Sequence, residues 1–179
     1  MIVLGIETST PVCNVGLTND GKLVAEYSLN IRNAHSRVLT GAVEKILKDA
    51  EITAAKLDGI AVSIGPGSFT GLRIGLSLAK GLALNSKMKC AAVPTLAALA
   101  SQAPVSEGLV YPFLKSRAKE YFLAGFKRGN FSDELVQDVI IKKADELEGF
   151  IPENAWLVGR QEDLVLENPL KNVNIAPDY

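Results

Sequence analysis

The chain has 179 residues, 47% apolar and 22% charged, with a formal net charge of −1. That composition is expected of a soluble globular protein of one ordinary domain or two small ones. No apolar run reaches the ~18 residues of a membrane span, the N-terminus lacks a basic signal-peptide start, and two cysteines with one histidine exclude a disulfide framework and any His-x-x-x-His or Cys-x-x-Cys metal site. A cytoplasmic protein is the expectation.

Taken in order, Ile2 to Ile6 is a short apolar strand of the kind buried on both faces. Glu7-Thr-Ser-Thr-Pro11 is a loop, and Cys13 to Thr18 alternates with period two. Asn19-Asp20-Gly21 reads as a hairpin turn, its Asp-Gly pair favouring positive φ, and Leu23 to Asn30 returns as a third strand. A helix is predicted over Ala34 to Ala50, with Val38, Leu39, Ala42, Val43, Ile46 and Leu47 at helical spacing in an apolar arc about 180° wide. His35 at its start is expected to be exposed or capping. Cys13 and Cys90 are expected to fill core space on strands.

Ile60 to Ile64 is a buried strand, followed by a tight Gly65-Pro66-Gly67 turn and a helix capped by Ser68 or Thr70. Two functions are open to this turn. It is either an ordinary strand-to-helix connection, or bare backbone at a helix N-terminus offered to a phosphate or carboxylate by Gly67, Ser68, Thr70 and Arg73. The named nucleotide motifs do not fit. Five residues separate Gly65 from Gly71 and Leu72-Arg73 follows, which excludes a Walker A loop; Thr70 stands where a dinucleotide fingerprint has its third glycine.

The helix from Thr70 to Leu84 has a polar arc made only of Lys80, Arg73 and Ser77, and an apolar arc of about 220°. Ile74, Leu78 and Leu82 suit a sheet, whereas Gly71, Gly75, Ala79 and Ala83, flanked by Leu72 and Leu76, form a groove that admits a second helix. Burial on two sides is the expectation. A strand at Cys90 to Val93 and a helix from Thr95 to about Gln102 complete a βββαβαβα order.

The run Ile64-Gly-Pro-Gly-Ser-Phe-Thr-Gly-Leu-Arg-Ile-Gly75, together with Ile6-Glu-Thr-Ser-Thr10, resembles the TsaB (YeaZ) family. Those proteins are non-catalytic members of the bacterial machinery that makes threonylcarbamoyladenosine in tRNA. The match is clear over residues 1 to about 100. It implies no cofactor, dimerisation with a catalytic TsaD-type paralogue, a TsaE-type ATPase reached through the complex, tRNA met only through the complex, and a homodimer in isolation. The partner surface would be the two wide-faced helices, through Val38, Leu39, Val43, Leu72, Gly75, Leu76, Ala79 and Ala83.

The second half repeats the order. Leu109 to Leu114, Glu120 to Phe126 and Leu135 to Ile141 read as strands, with Arg128-Gly-Asn130 a turn. Asp145 to Gly149 is a short helical piece, Ala155 to Val158 a strand, Gln161 to Leu166 a helical turn, and Val173 to Ile175 a last strand. Two βββαβα units imply a duplicated ribonuclease-H-like α/β fold, the two-lobe actin–hexokinase–chaperone (ASKHA) architecture, divided at residue 104 into an N-terminal lobe with the dimerisation helices and a C-terminal lobe. A final helix after Ile175 is expected and missing.

Charge and motif chemistry favour a platform over an enzyme. Residues 59–106 carry four bases and no acid, too few for a nucleic-acid groove, and residues 130–179 carry eleven acids against four bases, read as a solvated surface. In phosphotransferases of this architecture the first hairpin holds Mg²⁺ and phosphates with an Asp and glycines; here Glu7 is the one acid and no glycine follows it before Pro11. Lys115-Ser-Arg-Ala-Lys-Glu-Tyr121 resembles the family's Asp-Ala-Arg-x-x-Glu-Val-Tyr with Lys115 in place of the Asp. The alternative is a small-molecule kinase or metallopeptidase-like enzyme of the same superfamily.

Overall fold

The computed structural model describes residues 1–31, 34–84, 86–129, 133–166 and 170–177. They form two compact units, Met1–Pro94 and Thr95–Tyr179.

The first unit is built from β1 (Ile2–Glu7), β2 (Cys13–Asn19), β3 (Lys22–Leu29), α1 (His35–Asp49), β4 (Gly59–Gly65), α2 (Phe69–Ala83) and β5 (Lys89–Pro94). The sheet order is β3-β2-β1-β4-β5, antiparallel across the first three strands and parallel across the last three. Asp20 and Gly21 link β2 to β3 with φ of 50° and 75°, the paired left-handed conformation that a two-residue hairpin needs to match strand twist. Alternation along β1 and β2 sends Leu4, Ile6, Cys13, Val15 and Leu17 into the core. There they meet Leu39, Val43 and Ile46 of α1 and Ile60 and Val62 of β4. Val3 and Gly5 on the other face of β1 are half-buried, so burial of this strand is one-sided where the sequence predicts two.

The second unit contains α3 (Thr95–Ala100), β6 (Gly108–Arg117), β7 (Glu120–Arg128), β8 (Asp133–Lys143), α4 (Leu147–Phe150), β9 (Trp156–Val158) and β10 (Asn174–Ile175). Its sheet runs β8-β7-β6-β9-β10, with β6–β7 and β7–β8 antiparallel and β6–β9 and β9–β10 parallel. Strand for strand this is the pattern of the first sheet, and the duplicated ribonuclease-H-like fold is present. The predicted Arg128-Gly-Asn130 turn lies partly outside the described residues, at Asn130.

The helix at 95–100 belongs to the second sheet, not to the first lobe in which a boundary at residue 104 placed it. Leu96, Leu99 and Ala100 pack with Val110, Ala124, Phe126 and Val158. Arg128 fastens this helix. Its guanidinium donates to the carbonyls of Ala100 (2.6 Å), Ala103 (2.7 Å) and Val105 (3.2 Å), at and just beyond the end of the helix. The same group pairs with both carboxylate oxygens of Asp133 at 2.9 Å. On the opposite face Tyr121, fully buried, donates to the carbonyl of Asp163 and accepts from the amide of Val165, tying residues 161–166 to β7.

Arg128→Ala removes these bonds together and should lower unfolding free energy by at least about 2 kcal/mol at neutral pH. Arg128 holds the Asp133 carboxyl below its usual range, chiefly by hydrogen bonding. That contribution is complete above the unfolded carboxylate pKa near ~4 and disappears as pH falls through the depressed folded value. Denaturant titrations should therefore show a smaller difference between Arg128→Ala and wild type in acid than at pH 7. An equal difference at both would place the stability in the carbonyl contacts alone.

Candidate functional site

β4 delivers the chain to Gly65, whose φ is 106°, and the Gly65–Pro66 peptide is cis. Ser68 then caps α2: its Oγ accepts from the Gly71 amide at 3.1 Å and its carbonyl from the Leu72 amide at 2.8 Å.

The loop after β1 sits directly on this helix. The Ser68 amide donates to the Ser9 carbonyl at 2.6 Å, and Thr8 Oγ1 donates to the Gly71 carbonyl at 2.9 Å. A Cβ on Gly67 would lie 2.5 Å from the Ser9 carbonyl oxygen. On Gly71 and Gly75 it would overlap the Thr8 carbonyl oxygen and Thr8 Oγ1 still more severely. The glycine ridge is therefore the seat of Thr8 and Ser9, which are 0% and 3% exposed. The two motifs that carry the family resemblance are two halves of one contact.

This packing decides where the predicted site residues stand. Gly67 and Ser68 are engaged within the chain, so the four residues assigned to an anion do not converge on one. Thr70 and Arg73 are exposed on α2; they line an open groove of about 520 Å³ with Ser36, Leu39, Thr40, Ile74, Ser77 and Leu78, between α1 and α2. Arg73 stacks on the exposed ring of Phe69, its guanidinium carbon 3.8 Å from the centroid. Ser9 Oγ and Asn14 Oδ1 are buried without a hydrogen-bond partner among the described residues, and the Glu7 carboxylate accepts from the Ser9 amide.

The small-residue stripe of α2 is turned inward. Gly71, Gly75 and Ala79 are its buried residues, and Ala79 is 2% exposed. They face the sheet, where sequence reasoning put Ile74, Leu78 and Leu82, and no second helix can enter between them. Those bulky residues are half-buried beside α1. Leu39 and Val43 of α1 are also core, so four of the eight predicted partner residues are inaccessible. Val38, Leu72, Leu76 and Ala83 remain half-buried. At 100° per residue Leu72, Leu76 and Ala83 share a side of α2 with Phe69. Phe69 is 68% exposed. A large aromatic in the first turn of a helix is the signal in the sequence that marks Phe69.

Two smaller expectations also change. His35 neither caps α1 nor lies exposed: Ala34 is the N-cap residue, without a side-chain bond, and His35 is half-buried with no partner for Nε2 among the described residues. Cys13 is core, its thiol pushed up by burial and then by Glu7, but Cys90 is exposed because β5 is an edge strand. Lys115 is exposed on β6. Among the described residues no three of His, Cys, Asp and Glu come together as metal ligands, and no helix is long and apolar enough to cross a membrane.

Ala79→Glu should then abolish folding rather than association, because the carboxylate would be buried unpaired against the sheet. Gly71→Ala should cost more than the ~1 kcal/mol typical of a point mutant. Circular dichroism melts of both variants test this. A folded Ala79→Glu protein would mean that α2 does not rest on its small residues.

The model of the TsaD family, described as tRNA N6-adenosine threonylcarbamoyltransferase, matches residues 22–174. The TsaB protein of Bacillus subtilis strain 168, a tRNA threonylcarbamoyladenosine biosynthesis protein, is 33% identical over 150 residues, covering 83% of this chain and 65% of its own length. Its Escherichia coli K12 counterpart is 35% identical over 130 residues, covering 72% of this chain and 56% of its own. The chain thus spans about half to two thirds of the length of these relatives. The solved structure of YeaZ from Pseudomonas aeruginosa superposes with a TM-score of 0.74 at 24% identity, over 88% of this chain and 75% of that one, which shows a common fold. With the Thr8–Ser9 loop and the glycine-rich helix joined as one packed unit, the chain belongs to the TsaD/TsaB family of proteins, and its relatives place it among the TsaB (YeaZ) members.

Proposed function

We propose that this chain is a non-catalytic platform in bacterial tRNA threonylcarbamoyladenosine synthesis, binding a TsaD-type catalytic paralogue through the outer side of α2. The observation that carries this reading is the seating of Thr8 and Ser9 on the glycine ridge. In a phosphotransferase of this architecture the first hairpin loop and the following helix leave room for phosphates and metal. Here that space holds the chain's own backbone, and Glu7 is bound to the Ser9 amide. The half-buried Leu72, Leu76 and Ala83, with Phe69 and Arg73, supply an apolar centre with a cationic edge, the composition of a protein-binding patch. A TsaE-type ATPase and tRNA join through the complex, a homodimer replaces the heterodimer when the paralogue is missing, and the work is done in the cytoplasm.

The test is association of the purified chain with a TsaD-type partner, read by sedimentation. Phe69→Glu, at a ring that is 68% exposed, should keep its melting temperature within a few degrees of wild type and weaken the complex at least about tenfold, since a charge would be desolvated in the contact. Undiminished binding would move the interface elsewhere. In parallel the isolated chain should turn over no ATP with added Mg²⁺. Metal-dependent turnover that is lost on Glu7→Ala would replace the platform with the kinase reading.

A further inference from the structure

The second unit leaves one long strand open. β8 lies at an edge of its sheet and runs eleven residues, about twice the usual strand length. Leu135, Val136, Val139 and Ile141 on it are 46–54% exposed. A lone exposed leucine needs no explanation, but four large apolar side chains on one unpaired edge are a template for another strand.

The order of charges along β8 says which strand. Its first two residues are Asp133 and Glu134, its last two Lys142 and Lys143, and Asp138 stands at the midpoint. A parallel in-register copy would set like charge on like. An antiparallel copy centred on Asp138 sets Asp133 opposite Lys143, Glu134 opposite Lys142, and Leu135 opposite Ile141. The faces agree as well. Asp133, Leu135, Ile141 and Lys143 pair with alternate β7 residues Arg128, Phe126, Phe122 and Glu120, so they share one side of the sheet; Glu134 and Lys142 pair with Lys127 and Tyr121 on the other. Register irregularities opposite Leu123, Gly125 and Phe126 restore this agreement at the two ends of β8.

We propose that β8 is a docking edge for a second copy of this chain, two β8 strands pairing antiparallel about a twofold axis at Asp138. The contact is isologous and joins the two second-unit sheets into one continuous sheet. Leu135 and Ile141 of each copy then extend the apolar surface begun by Phe126 and Phe122. Asp138 meets its own copy on the axis, and that repulsion keeps the association weak. Asp133 and Lys142 already hold Arg128 and Glu146, so each facing pair has one member also bonded within its own copy, which weakens the association further. The surface is separate from α2 and does not depend on the platform reading.

Charge exchange tests it on the full chain. In a Phe69→Glu background that removes the α2 contact, Glu134→Lys and Lys142→Glu each place like charges opposite one another and should weaken the remaining self-association measured by sedimentation at least about tenfold. An equimolar mixture of the two variants restores both pairs, and should associate as tightly as the Phe69→Glu protein. Asp138→Cys in a Cys90→Ser background should form an intermolecular disulfide across the axis under mild oxidation, which reads the same contact without altering its ends. A mixture that associates no better than its separate components, or an Asp138→Cys protein that forms no intermolecular disulfide on oxidation, overturns the proposal.

Discussion

A threonine and a serine resting on a ridge of glycines set the geometry of the first unit. Thr8 and Ser9 leave the end of β1 with no room for a side chain beneath them, and α2 meets them with Gly67, Gly71 and Gly75. The approach is close enough that hydrogen bonds form in both directions: the Ser68 amide donates to the Ser9 carbonyl, and the Thr8 hydroxyl to the Gly71 carbonyl. Neither bond could form if α2 stood at the distance required by a leucine face. Once the small residues are drawn onto the sheet, the bulky residues on either side of them must spread. Ile74 and Leu78 turn to α1, Leu76 packs at the margin of the core, and Phe69 is left exposed. The same contact closes the glycine ridge to any larger side chain.

The two units solve one topology with different coverings. In the first, two fifteen-residue helices lie over the sheet. In the second, helices of six and four residues do the same work. Elements that short cannot hold their position by propensity, so side-chain bonds hold them instead. Arg128 clamps the carbonyls after α3 to β7, and Tyr121 ties down the stretch after β9. The sparse covering has a consequence at the far edge, where β8 keeps four large apolar side chains in solvent and gathers its charges at the two ends.

Most of the element boundaries were legible in the sequence, and the reason is local. Asp20-Gly21 could only be a tight turn, the period-two run from Cys13 could only be a half-buried strand, and Ser68 or Thr70 before a run of helical periodicity could only be a cap. The order βββαβα, stated twice, then fixed the duplicated sheet, because parallel strands joined by helices have few permitted topologies. What failed was the distribution of function along α2. An apolar arc of about 220° counts hydrophobic residues but does not say which of its sides the sheet takes. Bulk made Ile74, Leu78 and Leu82 the natural choice, and that choice left Gly75 and Ala79 as a groove for a partner.

By itself, then, the sequence determined the elements, their order, a cap at Ser68 or Thr70 and the family motifs, since each of these is set by residues within a few positions of one another. The tertiary structure alone decided that the two motifs touch. Thr8 and Gly71 are 63 residues apart, and nothing local marks Thr8 as the group that needs a glycine beneath it. It likewise decided that residues 95–100 belong to the second sheet, because Arg128, 28 residues beyond Ala100, bonds the Ala100 carbonyl at the end of that helix. In both cases the deciding term is a hydrogen bond between distant residues, buried or nearly so, and such a bond leaves no periodicity for a sequence to display.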